Sequence, residues 1–140
     1  MVGVHRRLLA ALVAALALCA PAANASPPSG VTGTILGTTT VAGMDYTLRE
    51  ITIAPGGTTG WHFHDGTLYA FVRSGRLSHF DSNCRQDGNY GPGAAFVERS
   101  GSGYVHQGRN LGTEPLVLDV LYVLPAGSPL SEDADGPAGC

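Results

Sequence analysis

His62 and His64 stand one residue apart in the short run Trp61-His62-Phe63-His64, which stops at Asp65-Gly66. Side chains two apart on a strand project from the same face, so both imidazoles can approach one ion while Phe63 faces the other way. A third histidine, His106, lies between Val105 and Gln107 on a later strand candidate. Neutral imidazole suits Zn, Fe, Cu, Ni and Mn. Three acids lie near these strands and could complete a donor set: Asp65, Glu98 and Glu50. Asp65 is on a turn and has the wrong parity for it. Tyr104 shares parity with His106, as a core aromatic or as an inward hydrogen-bond donor or late ligand. His79 reads as a wall or exposed residue and Trp61 as packed away from the histidines. The plain alternative for the His-x-His pair is two surface histidines that bind nothing.

The elements that must position these residues are strands. Runs rich in Val, Ile, Thr, Tyr and Phe alternate with glycine and proline at strand-length spacing. The candidates are 31–41, 44–54, 61–64, 68–72, 77–80, 94–97, 104–106 and 116–124. Asp65-Gly66 suits the positive φ of a tight hairpin turn. The run 116–124 is nearly all apolar, as expected of a strand buried on both sides. About eight short strands in one domain predict an all-β sandwich or barrel. Residues 26–30 read as an N-terminal arm, 31–125 as the barrel and 126–140 as a flexible Gly/Pro/acid-rich tail.

Residues 1–25 stand apart. Arg6 and Arg7 precede an apolar run from Leu8 to Ala20, then Ala23-Asn24-Ala25, the pattern of a secretory signal peptide cleaved after Ala25. The run is too short to span the ~30 Å hydrocarbon core as a helix, so the mature form is expected to have no membrane segment. Anchoring as a lipoprotein through Cys19 is disfavoured, because Leu18 stands where a small residue belongs. Two of the eight arginines lie in this stretch, leaving six against 11 acids and no lysine at all. No basic stripe is present, which argues against a nucleic-acid partner. Cys84 and Cys140 would meet in an oxidising compartment, where they either form a disulfide or leave Cys140 free at the chain end. Neither has neighbours that would lower a thiol pKa. No G-x-S-x-G nucleophile elbow occurs, and Gly91-Pro92-Gly93 has no helix after it to cradle a phosphate.

From Pro55 the chain reads P-G-G-T-T-G-W-H-F-H-D-G-T-L-Y-A-F-V-R-S-G-R-L, and later G-Y-V-H-Q-G-R-N at 103–110. The first stretch resembles the cupin superfamily motif G-x5-H-x-H-x3,4-E-x6-G, with Gly56, His62, His64 and Gly75 in register. The second resembles the end of the partner motif P-x-G-x2-H-x3-N, with Gly103, His106 and Asn110 in register. The resemblance implies a small antiparallel jelly-roll barrel in which His62, His64 and His106 converge on a divalent metal ion. Two positions depart from the pattern. The motif glutamate is Leu68, and Arg99 or Gly101 stands at the place of the second motif's proline. Three imidazoles alone leave a divalent ion at +2, which is a weaker site, and a glutamate at 68 would be expected to tighten it.

Three functions are consistent with this reading. One is a secreted metal-dependent enzyme acting on a small polar molecule; another is a non-catalytic module for a metal or small ligand; the last is a metal-free barrel. The expected partner is a small molecule, with a homo-oligomer compatible. No residue presents itself as a general acid or base, because Leu68 occupies the obvious place.

Overall fold

The computed structural model describes residues 26–140. The signal peptide expected at 1–25, with its helix and cleavage point, and Cys19 lie outside the described residues. Among the described residues no helix is long and apolar enough to cross a membrane.

Ten antiparallel strands form the chain: β1 (Ser29–Val41), β2 (Met44–Thr58), β3 (His62–Phe63), β4 (Thr67–Ser74), β5 (Leu77–Asp81), β6 (Gln86–Tyr90), β7 (Ala95–Glu98), β8 (His106–Arg109), β9 (Leu116–Pro125) and β10 (Glu132–Asp133). One face is β1-β2-β9-β4-β7; the other is β6-β5-β8-β3-β10. They join where β2 passes to β8 at Thr58 and Arg109. The result is the nearly closed jelly-roll barrel expected from the sequence. β6 and β10 were not among the expected strands, since neither Gln86–Tyr90 nor Glu132–Asp133 carries a β-branched or alternating apolar run.

β9 shows why strand polarity must be read from position. Its burial alternates strictly, with Leu116, Leu118, Val120, Tyr122 and Leu124 inside. Burial on both sides, expected from its apolar run, gives way to one buried and one half-buried face, because no second layer covers the outer side. Opposite β9, β2 sends Thr47, Arg49, Ile51 and Ile53 inward, and β4 sends Leu68, Ala70 and Val72. These side chains and Phe96 make the core. Cross-strand pairing arranges them in rows. Thr47 pairs with Tyr122, Tyr122 with Leu68, and Leu68 with Glu98.

Gly66 is required for close approach and not for the positive φ expected of it. A Cβ there would lie 2.1 Å from the Val123 carbonyl oxygen. The C-terminal residues 126–140 run beside β3. β10 pairs with it, the Ala134 N–H donates to the Trp61 carbonyl at 2.9 Å, and Trp61 is buried against Gly136. Cys84 and Cys140 form a disulfide with a Cα–Cα distance of 5.7 Å.

Candidate metal centre

His62 and His106 are direct partners across the β3–β8 pair, so period-two geometry puts both rings on the inner face. His64 follows one step beyond β3. The three rings lie with centroids 4.5 to 5.3 Å apart, and all three are buried. Each ring is oriented from behind by a backbone carbonyl. His62 Nδ1–H donates to Gly60 O at 2.8 Å, His64 Nδ1–H to Leu130 O at 2.7 Å and His106 Nδ1–H to Tyr104 O at 2.8 Å. With Nδ1 carrying the proton, the Nε2 lone pairs are left to face one another.

The fourth group is Glu98. Its Oε2 lies 3.2 Å from His64 Nε2 and 3.2 Å from His106 Nε2. Ligand atoms of His62, His64, Glu98 and His106 all fall within 4.8 Å of one another, which makes the cluster able to hold a metal ion. The expected acid slot at 68 is filled by a buried leucine. Its cross-strand partner on β7 is Glu98, so the carboxylate reaches the same centre from the adjacent strand. The other two acids are elsewhere. Asp65 is exposed on its turn, and Glu50 faces outward, accepting a hydrogen bond from Arg73 at 2.7 Å.

His79, expected at the wall or the surface, is buried behind this cluster. Its ring hydrogen-bonds Asp87 through Nδ1, and its Nε2 lies 3.7 Å from Glu98 Oε1. The signal for it in the sequence was its spacing of two from Leu77, an inward core residue on the same strand. Tyr104 turns its carbonyl to His106 and stacks its ring near His79, so it serves the site from behind. Asn110, the last residue of the second motif, is a clamp. Its amide donates to Ile53 O and Glu114 O, and its Oδ1 accepts from Gly112 N–H.

The donor set fits a first-row divalent ion. Three imidazoles and one carboxylate suit Mn, Fe, Ni, Cu or Zn better than Ca or Mg, and the carboxylate lowers the net charge of the centre from +2 to +1. Without a cation, lone pairs of the imidazoles would oppose a carboxylate in a buried space. With neutral rings, His64 Nε2 and His106 Nε2 bring no proton to the Glu98 oxygen 3.2 Å from each and are left unsatisfied. Protons provide the alternative compensation. Burial drives His106 down, but hydrogen bonding to Glu98 and its charge outweigh this and leave its pKa raised. Burial drives Glu98 up, but His106 and His64 hold it well below the usual carboxylate range.

His62 behaves oppositely. Burial, and then the neighbouring His106 and His64, lower its pKa from 6.5 to about 4. Its folded state is therefore the neutral ring, and its contribution to stability is complete above pH 6.5 and lost as the pH falls towards 4. Chelator-treated protein is expected to lose about 3 kcal/mol across that interval. His106 adds no slope there, because its raised pKa places its titration above the interval. Thermal midpoints against pH check this, with His62→Gln expected to flatten the fall; an unchanged midpoint from pH 6.5 to 4 would refute it.

The comparisons with known proteins bear on the fold and the family. No curated protein matches the chain. Solved structures do. The polyketide cyclase RemF from Streptomyces resistomycificus is similar at TM-score 0.62 and 22% identity, covering 78% of this chain and 75% of that one. A conserved double-stranded β-helix protein from Klebsiella pneumoniae is similar at TM-score 0.60 and 20% identity, covering 78% and 85%. A cupin domain from Bordetella pertussis gives TM-score 0.56 and 19% identity, covering 70% and 95%. At these identities the likeness is one of fold. The sequence itself matches the Cupin_2 family, the cupin domain, over residues 49–124, and with that match the chain belongs to the cupin family.

Proposed function

We propose that this chain is a secreted cupin that holds one divalent metal ion through His62, His64, His106 and Glu98, and that the ion serves metal-dependent chemistry on a small polar molecule. The observation that carries the reading is the convergence of three imidazoles, each with its Nδ1–H tied to a backbone carbonyl, on a carboxylate from a third strand. Such outer partners fix ring orientation and raise ligand basicity. When bound, the ion supplies Lewis-acid polarisation of an oxygen on the small molecule. Leu68, Ala70, Leu77 and Phe96 line the cavity beside the centre, so they exclude bulk water from it. The Cys84–Cys140 disulfide supports export, because such bonds persist in oxidising compartments.

Metal content tests the proposal. The mature chain, purified without a histidine tag and reconstituted in turn with Zn, Mn, Fe(II), Ni and Cu, is expected to retain about one ion per chain for at least one metal. At a hundredfold excess over the dissociation constant the ion should add about 2.7 kcal/mol of stability. Substoichiometric retention of every ion would overturn the reading and leave the barrel metal-free.

A further inference from the structure

Arg49 points into the barrel. It shares inward parity with Thr47, Ile51 and Ile53 on β2, and its cross-strand row continues through Val120, Ala70 and Phe96. A guanidinium among such residues needs an anion or a set of acceptors. Among the described residues no carboxylate lies within ion-pairing distance of Arg49, whereas Arg73 takes Glu50 and Asp119, and Arg85 takes Asp81. The buried Tyr122 hydroxyl lies beside Arg49 in the same cavity, which leaves donors of the fork unused. The head group has a place made for it. A Cβ at Gly33 on β1 would lie 2.3 Å from both Nε and Nη2, so a side chain there would displace the guanidinium from this position.

Arg49, Tyr122 and His62 line one cavity of about 270 Å³, completed by Pro28, Val31, Ile51, Thr59 and Ser131. The cavity therefore runs from a guanidinium to a wall of the metal centre, with apolar side chains between. We infer that it is a substrate site for small carboxylates with an apolar middle, the carboxylate held by the Arg49 fork and the Tyr122 hydroxyl and the opposite end turned toward His62. One guanidinium and one hydroxyl match a single planar carboxylate, and a volume just under the usual ~300–1,000 Å³ of ligand pockets keeps the molecule small. The acidic excess of the chain works against more highly charged anions. The inference names a substrate class for the centre proposed above and rests on that reading for its second half only.

The experiment uses benzoate, its neutral isostere benzamide and inorganic phosphate as probes, on wild type with and without reconstituted metal. Calorimetry should show benzoate binding to both forms, with benzamide and phosphate much weaker. Arg49→Gln should weaken benzoate roughly tenfold to a hundredfold, the value of a lost charge-assisted pair. Arg49→Lys, which keeps the charge but loses the fork, should fall between, and Gly33→Ala should weaken benzoate by displacing the head group. Thermal midpoints identify any variant that fails to fold, and the remaining two then decide. Absence of benzoate binding at millimolar concentration, equal binding of benzamide, a preference for phosphate, or full benzoate affinity in Arg49→Gln each overturns the inference. Binding that survives Arg49→Gln but is lost in His106→Ala assigns the carboxylate to the ion and also overturns it. The chelator-treated arm reads the Arg49 contact even where no metal binds, so failure of the metal reading is seen separately.

Discussion

His106→Ala is expected to abolish stoichiometric metal binding, and Glu98→Leu to weaken it by at least about a hundredfold, whereas Glu98→Leu combined with Leu68→Glu restores most of the loss. His106 sits at the middle of the cluster, paired with His62 across the strands and 3.2 Å from Glu98, so its removal opens the site on two sides. Loss of the Glu98 charge beside a divalent ion removes an attraction of several kcal/mol even at an effective dielectric of about 20. The rescue follows from the β4–β7 register. Leu68 and Glu98 are direct partners, so their Cβ atoms are about 5 Å apart on the same inner face and either can deliver a carboxylate to the centre. Leu68→Glu alone has the opposite sign from the motif-based expectation. It would bury a second carboxylate next to Glu98, and two like charges at that distance cannot both ionise cheaply. Titration against a chromophoric chelator ranks the variants; wild-type affinity in Glu98→Leu, or no recovery in the double variant, would refute the exchange.

The relocation of the acid marks where the sequence stopped being informative. The convergence of His62, His64 and His106 was legible because two of them fall in one strand candidate and the motif spacing aligns all three. The barrel was legible for the same reason, since period-two runs and glycine punctuation are local. Glu98 was only one of three candidate acids, because what distinguishes it from Glu50 is strand pairing, a non-local fact. Glu50 pairs with Asp119 and faces out; Glu98 pairs with Leu68 and faces in. β8 shows the same limit. It was placed at 104–106 and lies at His106–Arg109, because Tyr104 gives its carbonyl to His106 and not to a ladder. The residues after Pro125 carry little apolar content, so composition says nothing of the backbone contacts they make with Trp61 and His64.

Those contacts give the second large effect. Cys84→Ser/Cys140→Ser is expected to lower stability by about 4 kcal/mol, because the bridge spans a sequence separation of 56 and cuts the freedom of the unfolded chain accordingly. In a domain of this size that corresponds to a fall in thermal midpoint of roughly 15 °C or more. The loss should not stop at stability. The disulfide ties down the segment whose Leu130 carbonyl accepts the His64 Nδ1–H and whose β10 pairs with His62 and Phe63. Freed from that anchor, His64 no longer has its tautomer and ring orientation fixed, and outer-shell losses of this kind weaken metal sites by about ten- to a hundredfold. Truncation before Leu130, with Cys84→Ser because Cys140 is lost too, removes the carbonyl together with the bridge and is expected to weaken metal binding by at least a similar factor. Stability and affinity thus separate the two roles of the C-terminal segment. A lowered midpoint with unchanged affinity in both variants would show that His64 is held by the barrel alone; an unchanged midpoint would show that the bridge closes a loop already ordered without it.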